Sequence, residues 1–242
     1  MSASCFQYEK ACVLFNVAAI YSQLGSYQNV SNPSESYKVA SHFFQKAAGV
    51  LLFIRDNLAV RFKYTPLKHS DLSEFTLTAL IDLMLGQAAE CYWQRANIGK
   101  GVSSQIRLLF NAQIVDKSSS AVTSQVAAQA SDYYLSAYKH SKDHSNTLTF
   151  KSRFPKEWPA QIKSKSWLLL ALAHLHMPAS VPDRMIPERL SRLDLAKSIA
   201  LKSEKLAKDC SKDLQIFIKV HYRKAIRIDD LIFFVLGALE PT

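Results

Sequence analysis

An all-α protein is the expectation for this chain, on three grounds. Its 242 residues hold only 6 Gly and 8 Pro, about half the usual share of turn formers, so its elements are long. Apolar residues recur every three to four positions through most of the chain, and sustained alternation is absent. Hydrophobic residues make up 48% and charged residues 21%, ordinary globular usage that excludes wholesale disorder. β-Sandwiches and barrels, which need a turn every 8–12 residues, do not fit.

The elements follow in order. Phe6 to Leu24 is apolar on nearly every side and ends at Gly25, which predicts a helix buried in the middle of a bundle with Gly25 as its C′ residue. Asn32-Pro33-Ser34 starts a second helix, with Tyr37, Ala40, Phe44, Ala47, Leu51, Ile54 and Leu58 on one face, and Pro66 closes it. Asp71 and Glu74 form a D-x-x-E capping box before a third helix that runs to about Ala96. Gly86 in its middle costs about 1 kcal/mol relative to Ala, so a close helix contact is expected there.

Beyond Ile98 the pattern breaks, and residues 98–115 read as an insertion or loop. A fourth helix over about 117–141 presents Val122, Val126 and Tyr133 on one stripe and Ala127, Ala130, Tyr134 and Ala137 on another. Phe154-Pro155 and Trp158-Pro159 introduce a fifth helix from about Ala160 to His176, and Pro178, Pro182 and Pro187 make 177–187 a connector. A sixth helix follows over about 188–211 and a seventh over about 213–227, with Leu231 to Leu239 as an apolar strip packed on the bundle. One domain accounts for the whole chain.

Charge and motifs narrow the function classes. Thirty Lys and Arg against twenty Asp and Glu leave a net charge of +10, which attracts acidic partners without saying which. Four Cys with no C-x-x-C read as reduced thiols, and the apolar run Ala11 to Tyr21 is too short to span a bilayer and lacks the flanks of a signal peptide. An intracellular protein is the expectation. His140 and His144 are four apart, yet no H-E-x-x-H accompanies them, and Gly99-Lys100-Gly101 lacks phosphate-loop spacing. Asp229-Asp230 has no nucleophilic companion. No enzyme, metal, cofactor or small-molecule substrate is indicated. The lysines of the second half are interleaved with acids and carry no helix-turn-helix or zinc-finger pattern.

Tyr8-Glu9-Lys10-Ala11-Cys12-Val13-Leu14-Phe15-Asn16-Val17-Ala18-Ala19-Ile20-Tyr21-Ser22-Gln23-Leu24 resembles the signature helix of the Bro-type domain of the ALIX/PalA family. Met84 to Cys91, Val126 to Tyr134 and Arg227 to Phe233 resemble three further segments of that domain in the same order, and Trp93 with Phe154 to Trp158 leans toward the fungal PalA branch. The resemblance implies a curved all-α domain with tetratricopeptide-like hairpins, partial because the chain opens at the signature helix. It implies a non-enzymatic adaptor in the cytoplasm, recruited to endosomes by an ESCRT-III subunit whose acidic, amphipathic C-terminal helix it binds.

By position, Tyr92, Val122 and Val126 match the family's hydrophobic patch and Lys38 and His42 its basic rim. Valine stands at 122 and 126 where family members usually carry Ile or Leu, and His42 stands in place of a lysine. Ambient-pH signalling and multivesicular-body cargo sorting both remain open as the setting. From a different class, a basic helical module for nucleic acid or anionic lipid is the alternative, and a non-functional fragment the third.

Overall fold

The computed structural model describes residues 3–28, 32–59, 71–98, 117–143, 157–177, 185–208 and 210–226. Seven α-helices occur among them: α1 (Ala3–Ser26), α2 (Pro33–Phe53), α3 (Glu74–Ala96), α4 (Lys117–Asp143), α5 (Trp158–His176), α6 (Ile186–Ala207) and α7 (Lys212–Ile226). No strand occurs among the described residues. Pro66, the expected insertion beyond Ile98, Gly99-Lys100-Gly101, His144, Phe154-Pro155, Pro178, Pro182, Asp229-Asp230 and the strip Leu231 to Leu239 lie outside them.

Each helix packs on its successor, and α7 also reaches back to α5. The α2–α3 pair is antiparallel: Arg95 donates to Ser34, Ser41 to the carbonyl of Ala88, and Arg55 to Thr78. The α4–α5 pair is antiparallel too, through Ser124 to the Ala173 carbonyl and Ser131 to that of Ser166. Local sequence pattern sets most boundaries. Pro33 sits in the first turn of α2 after Asn32, where its missing N–H has no helical partner to lose. α2 then runs into a π-helical turn, Ile54–Leu58, which keeps Ile54 and Leu58 facing inward.

Serines bring the later helices close. Ser131 and Ser166 each donate to the other's main-chain carbonyl (2.9 and 3.1 Å), joining α4 to α5. Ser164 and Ser203 repeat the arrangement between α5 and α6 (3.0 and 2.8 Å). A side chain this short reaches a neighbouring helix backbone only where the axes approach closely, and its hydroxyl is then satisfied although buried.

Three expectations are corrected. α1 is not buried in the middle of a bundle: Ala11 and Ala18 face α2, while Phe6, Val13 and Ile20, seven residues apart, are exposed, Val13 to 62%. An all-round apolar sequence shows that faces can be buried, not how many neighbours are present to bury them. Gly25 lies inside the helix, not beyond it. A Cβ there would stand 2.9 Å from the Phe44 ring, so close packing requires the glycine. The α3 cap is Ser73, whose Oγ accepts from the Thr76 N–H (3.3 Å), because the helix begins at Glu74, two residues later than a cap at Asp71 requires.

Candidate surface on helices α2, α3 and α4

The interior of the α3–α4–α5 junction is set by one acid. Glu90 is buried on α3 and accepts from the Tyr134 hydroxyl of α4, while Lys165 of α5 donates to both its oxygens (3.1 and 2.9 Å). The Lys165 ammonium also lies 5.5 Å from the Tyr134 ring centroid, a favourable cation–π placement. A buried carboxylate is tolerable only with such partners. Burial, then the Glu90 charge and its hydrogen bond, pushes the Tyr134 phenol well above its ordinary range. Burial and the same charge push the Cys91 thiol up to about 12, which makes it inert as a nucleophile. Gly86 is explained here as expected: a Cβ would stand 3.3 Å from the Tyr134 ring.

A second polar contact fixes which helix faces adjoin. Ser136 Oγ of α4 donates to Asp82 Oδ2 of α3 (2.6 Å), and His140 Nδ1 lies 3.5 Å from the same oxygen. On α3, residues 82, 85, 89 and 92 follow 3-4-3 spacing and share a face. On α4, residues 122, 126, 129, 133, 136 and 140 follow 4-3-4-3-4 spacing and share another. The Asp82 contacts therefore set the stripe of Tyr92 beside the stripe of Val122 and Val126. Because the Glu90–Tyr134 and Asp82–Ser136 contacts run in opposite order along the two helices, Tyr92 and the two valines lie toward the same end.

The five residues singled out from the sequence thus fall on three consecutive helices. Tyr92 is 51% exposed and Val122 50%, and Val126 is half-buried against the core. The adjacent α4 stripe, Ala127, Ala130, Tyr134 and Ala137, is sealed, with Ala127 at 0%. Tyr92 points away from the interior because the next residue, Trp93, is buried and meets the His176 ring of α5 edge-on at 6.1 Å. On α2, Lys38 and His42 are exposed one turn apart. They continue on Gln45, whose Nε2 lies 3.4 Å from Ser41, the residue bonded to α3. Lys38 pairs with Glu35 at 3.4 Å, an exposed pair that holds the ammonium only weakly.

Tyr92, Val122 and Val126 thus lie toward one end of α3 and α4, and Lys38 and His42 on an exposed face of α2. Among the described residues no group of three His, Cys, Asp or Glu could hold a metal. No helix among them is long and apolar enough to cross a membrane. Asp82, Ser136 and the Glu90–Lys165–Tyr134 set were missed from sequence, and His140 was weighed only as a metal ligand with His144. Glu90 carried the one usable signal, a lone acid in the apolar run Met84 to Cys91.

A BRO1-like domain model matches residues 1–235. Tyrosine-protein phosphatase non-receptor type 23 of Mus musculus is 30% identical over 97% of this chain and 13% of its own length. Programmed cell death 6-interacting protein of Xenopus laevis is 31% identical over 80% of this chain and 20% of its own. The pH-response regulator protein palA/RIM20 of Pyricularia oryzae is 36% identical over 54% of this chain and 13% of its own. The chain therefore spans a fifth or less of these relatives. Among solved structures, the ALIX BRO1 CHMP4C complex superposes with a TM-score of 0.66 at 26% identity, covering 97% of this chain and 60% of that one. ALIX in complex with a late-domain peptide gives a TM-score of 0.65 over 94% of this chain and 29% of that one.

Proposed function

This chain belongs to the BRO1-like domain family, and from that premise we propose that it is a non-enzymatic adaptor that docks the acidic, amphipathic C-terminal helix of an ESCRT-III subunit. The occupied surface is that of α2, α3 and α4. Tyr92, Val122 and Val126 take the apolar face of the incoming helix, and Lys38 and His42 orient its acidic residues. This is helix-in-groove recognition, in which apolar anchors supply affinity and the charged rim supplies register and on-rate.

The observation that carries the reading is the contrast within α4. One stripe is closed by packing, and its neighbour leaves Val122 half exposed beside an exposed tyrosine of α3. The ALIX BRO1 domain solved with CHMP4C, similar over nearly the whole chain, supports the choice of partner. The phosphatase relative is matched over 13% of its own length, so its name carries no enzymatic role to this chain. The palA/RIM20 relatives favour a setting in ambient-pH signalling, with the protein cytoplasmic and brought to endosomes by its partner.

The test is Val126→Asp. Capture of an acidic amphipathic helix should fall below detection while the far-ultraviolet circular dichroism stays that of the parent protein. Undiminished capture by the variant would remove Val126 from the site.

A further inference from the structure

The outward face of α7 takes no part in that surface. The helix is anchored from below by Leu214 and by Ile218, which is fully buried, beside buried Cys210. Gln215 Nε2 donates to the carbonyls of Lys208 and Cys210 (3.2 and 2.9 Å), tying the helix to the corner it shares with α6. On the opposite side Ile216 and Val220, one turn apart, are 60% and 50% exposed. Lys212 lies four residues before Ile216 and Lys219 three after it, both exposed, so 212, 216, 219 and 220 occupy one face. Lys205 and Lys208 are exposed where α6 ends, at the same corner. The sequence from 204 to 220 sets these four lysines among three acids, Glu204, Asp209 and Asp213.

Two aliphatic tips flanked by Lys212 and Lys219, on a helix already clamped in place, suit one kind of occupant. A nucleic acid would want aromatic platforms for stacking, and positions 212, 216, 219 and 220 supply none. A bilayer surface takes aliphatic side chains at the acyl boundary, while lysine stems lie along the apolar layer and their ammonium groups reach acidic headgroups. The net charge of +10 draws the protein to such a surface. We propose that this face of α7 docks the protein directly on an anionic lipid membrane, with Ile216 and Val220 inserted and Lys205, Lys208, Lys212 and Lys219 on the headgroups.

The experiment is co-sedimentation of the full chain with phosphatidylcholine vesicles, with and without phosphatidylserine. Binding should require phosphatidylserine, weaken with salt, and fall roughly tenfold or more both in Ile216→Gln/Val220→Gln and in Lys212→Glu/Lys219→Glu. All four positions are exposed, so circular dichroism should match the parent chain. In Ile216→Trp, the new indole should shift to shorter wavelength on these vesicles and be quenched by brominated acyl chains. Binding lost on charge reversal but kept in the glutamine pair, with an indole that stays in water, would overturn the docking face. So would vesicle binding indifferent to both pairs, or binding by these lysines to nucleic acid or an acidic peptide with none to vesicles.

Discussion

Tyr133 and Tyr134 are neighbours on α4 and stand in opposite situations. Tyr134 is sealed among α3, α4 and α5, with its hydroxyl on Glu90 and its ring against Gly86. Tyr133 belongs to the stripe of Val122 and Val126 and is only half-buried. Both stripes are apolar at helical spacing, and their sequence patterns alone do not say which one the fold closes. What separates them is the chemistry at the crossing. Glycine, serine and alanine let the axes approach on one side, whereas on the other Asp82 with Ser136 and His140 leaves the remaining positions of the stripe open.

The sharpest way to break this comparison is to truncate each tyrosine. Tyr134→Ala should cost about 3–5 kcal/mol of unfolding free energy, since it empties a packed site and strands Glu90. Tyr133→Ala should cost about 1 kcal/mol or less. Urea denaturation of the two variants measures both, and equal losses would erase the distinction.

Affinity comes next in size. Replacing Val122 and Val126 together by isoleucine adds one methylene to each proposed anchor, at roughly 0.8 kcal/mol per buried CH₂. Binding of an acidic amphipathic helix should tighten about tenfold, read by fluorescence anisotropy. The same pair should shift the urea midpoint far less than Tyr134→Ala, because Val122 is half exposed and Val126 only half-buried.

The smallest effects are those of pH on stability. Tyr134 is held neutral in the folded protein by burial and by Glu90, while in the unfolded chain its phenol ionises near pH 10. Its contribution is complete below that pH and is lost as pH rises through the elevated folded value. His174 runs the other way. Burial, then the Arg192 charge, lowers its pKa. Its contribution is present above about pH 6.5 and declines as pH falls through the lowered folded value. Urea midpoints in Tyr134→Phe and His174→Gln should lose the alkaline and the acid dependence respectively.

Helix existence and order were legible because apolar spacing and prolines report local conformation directly. Pro33 opens α2 and Gly86 marks a close crossing, and both readings survive. Gly25 was misread because a glycine that ends a helix and one that admits a ring look alike in sequence. Only the position of Phe44, nineteen residues on, separates them. The cap at Ser73 lay within a serine- and acid-rich stretch where several registers compete. Lys165 and Glu90 are 75 residues apart, beyond any local pattern, so the set that organises the junction was invisible. The open surface was reached through resemblance, since exposure depends on which neighbouring helices are present and not on the stripe itself.

Among the described residues, apolar faces stand open on α1 with Phe6, Val13 and Ile20, on α3 and α4 with Tyr92 and Val122, and on α7 with Ile216 and Val220. The central claim assigns the partner helix to the second. Titration of the intact chain with a fluorescently labelled acidic amphipathic helix, repeated in Val126→Asp and in Val13→Asp/Ile20→Asp, tests it most directly. Saturable binding abolished by the first variant and preserved by the second is the predicted result. Binding preserved by the first and abolished by the second would contradict the account.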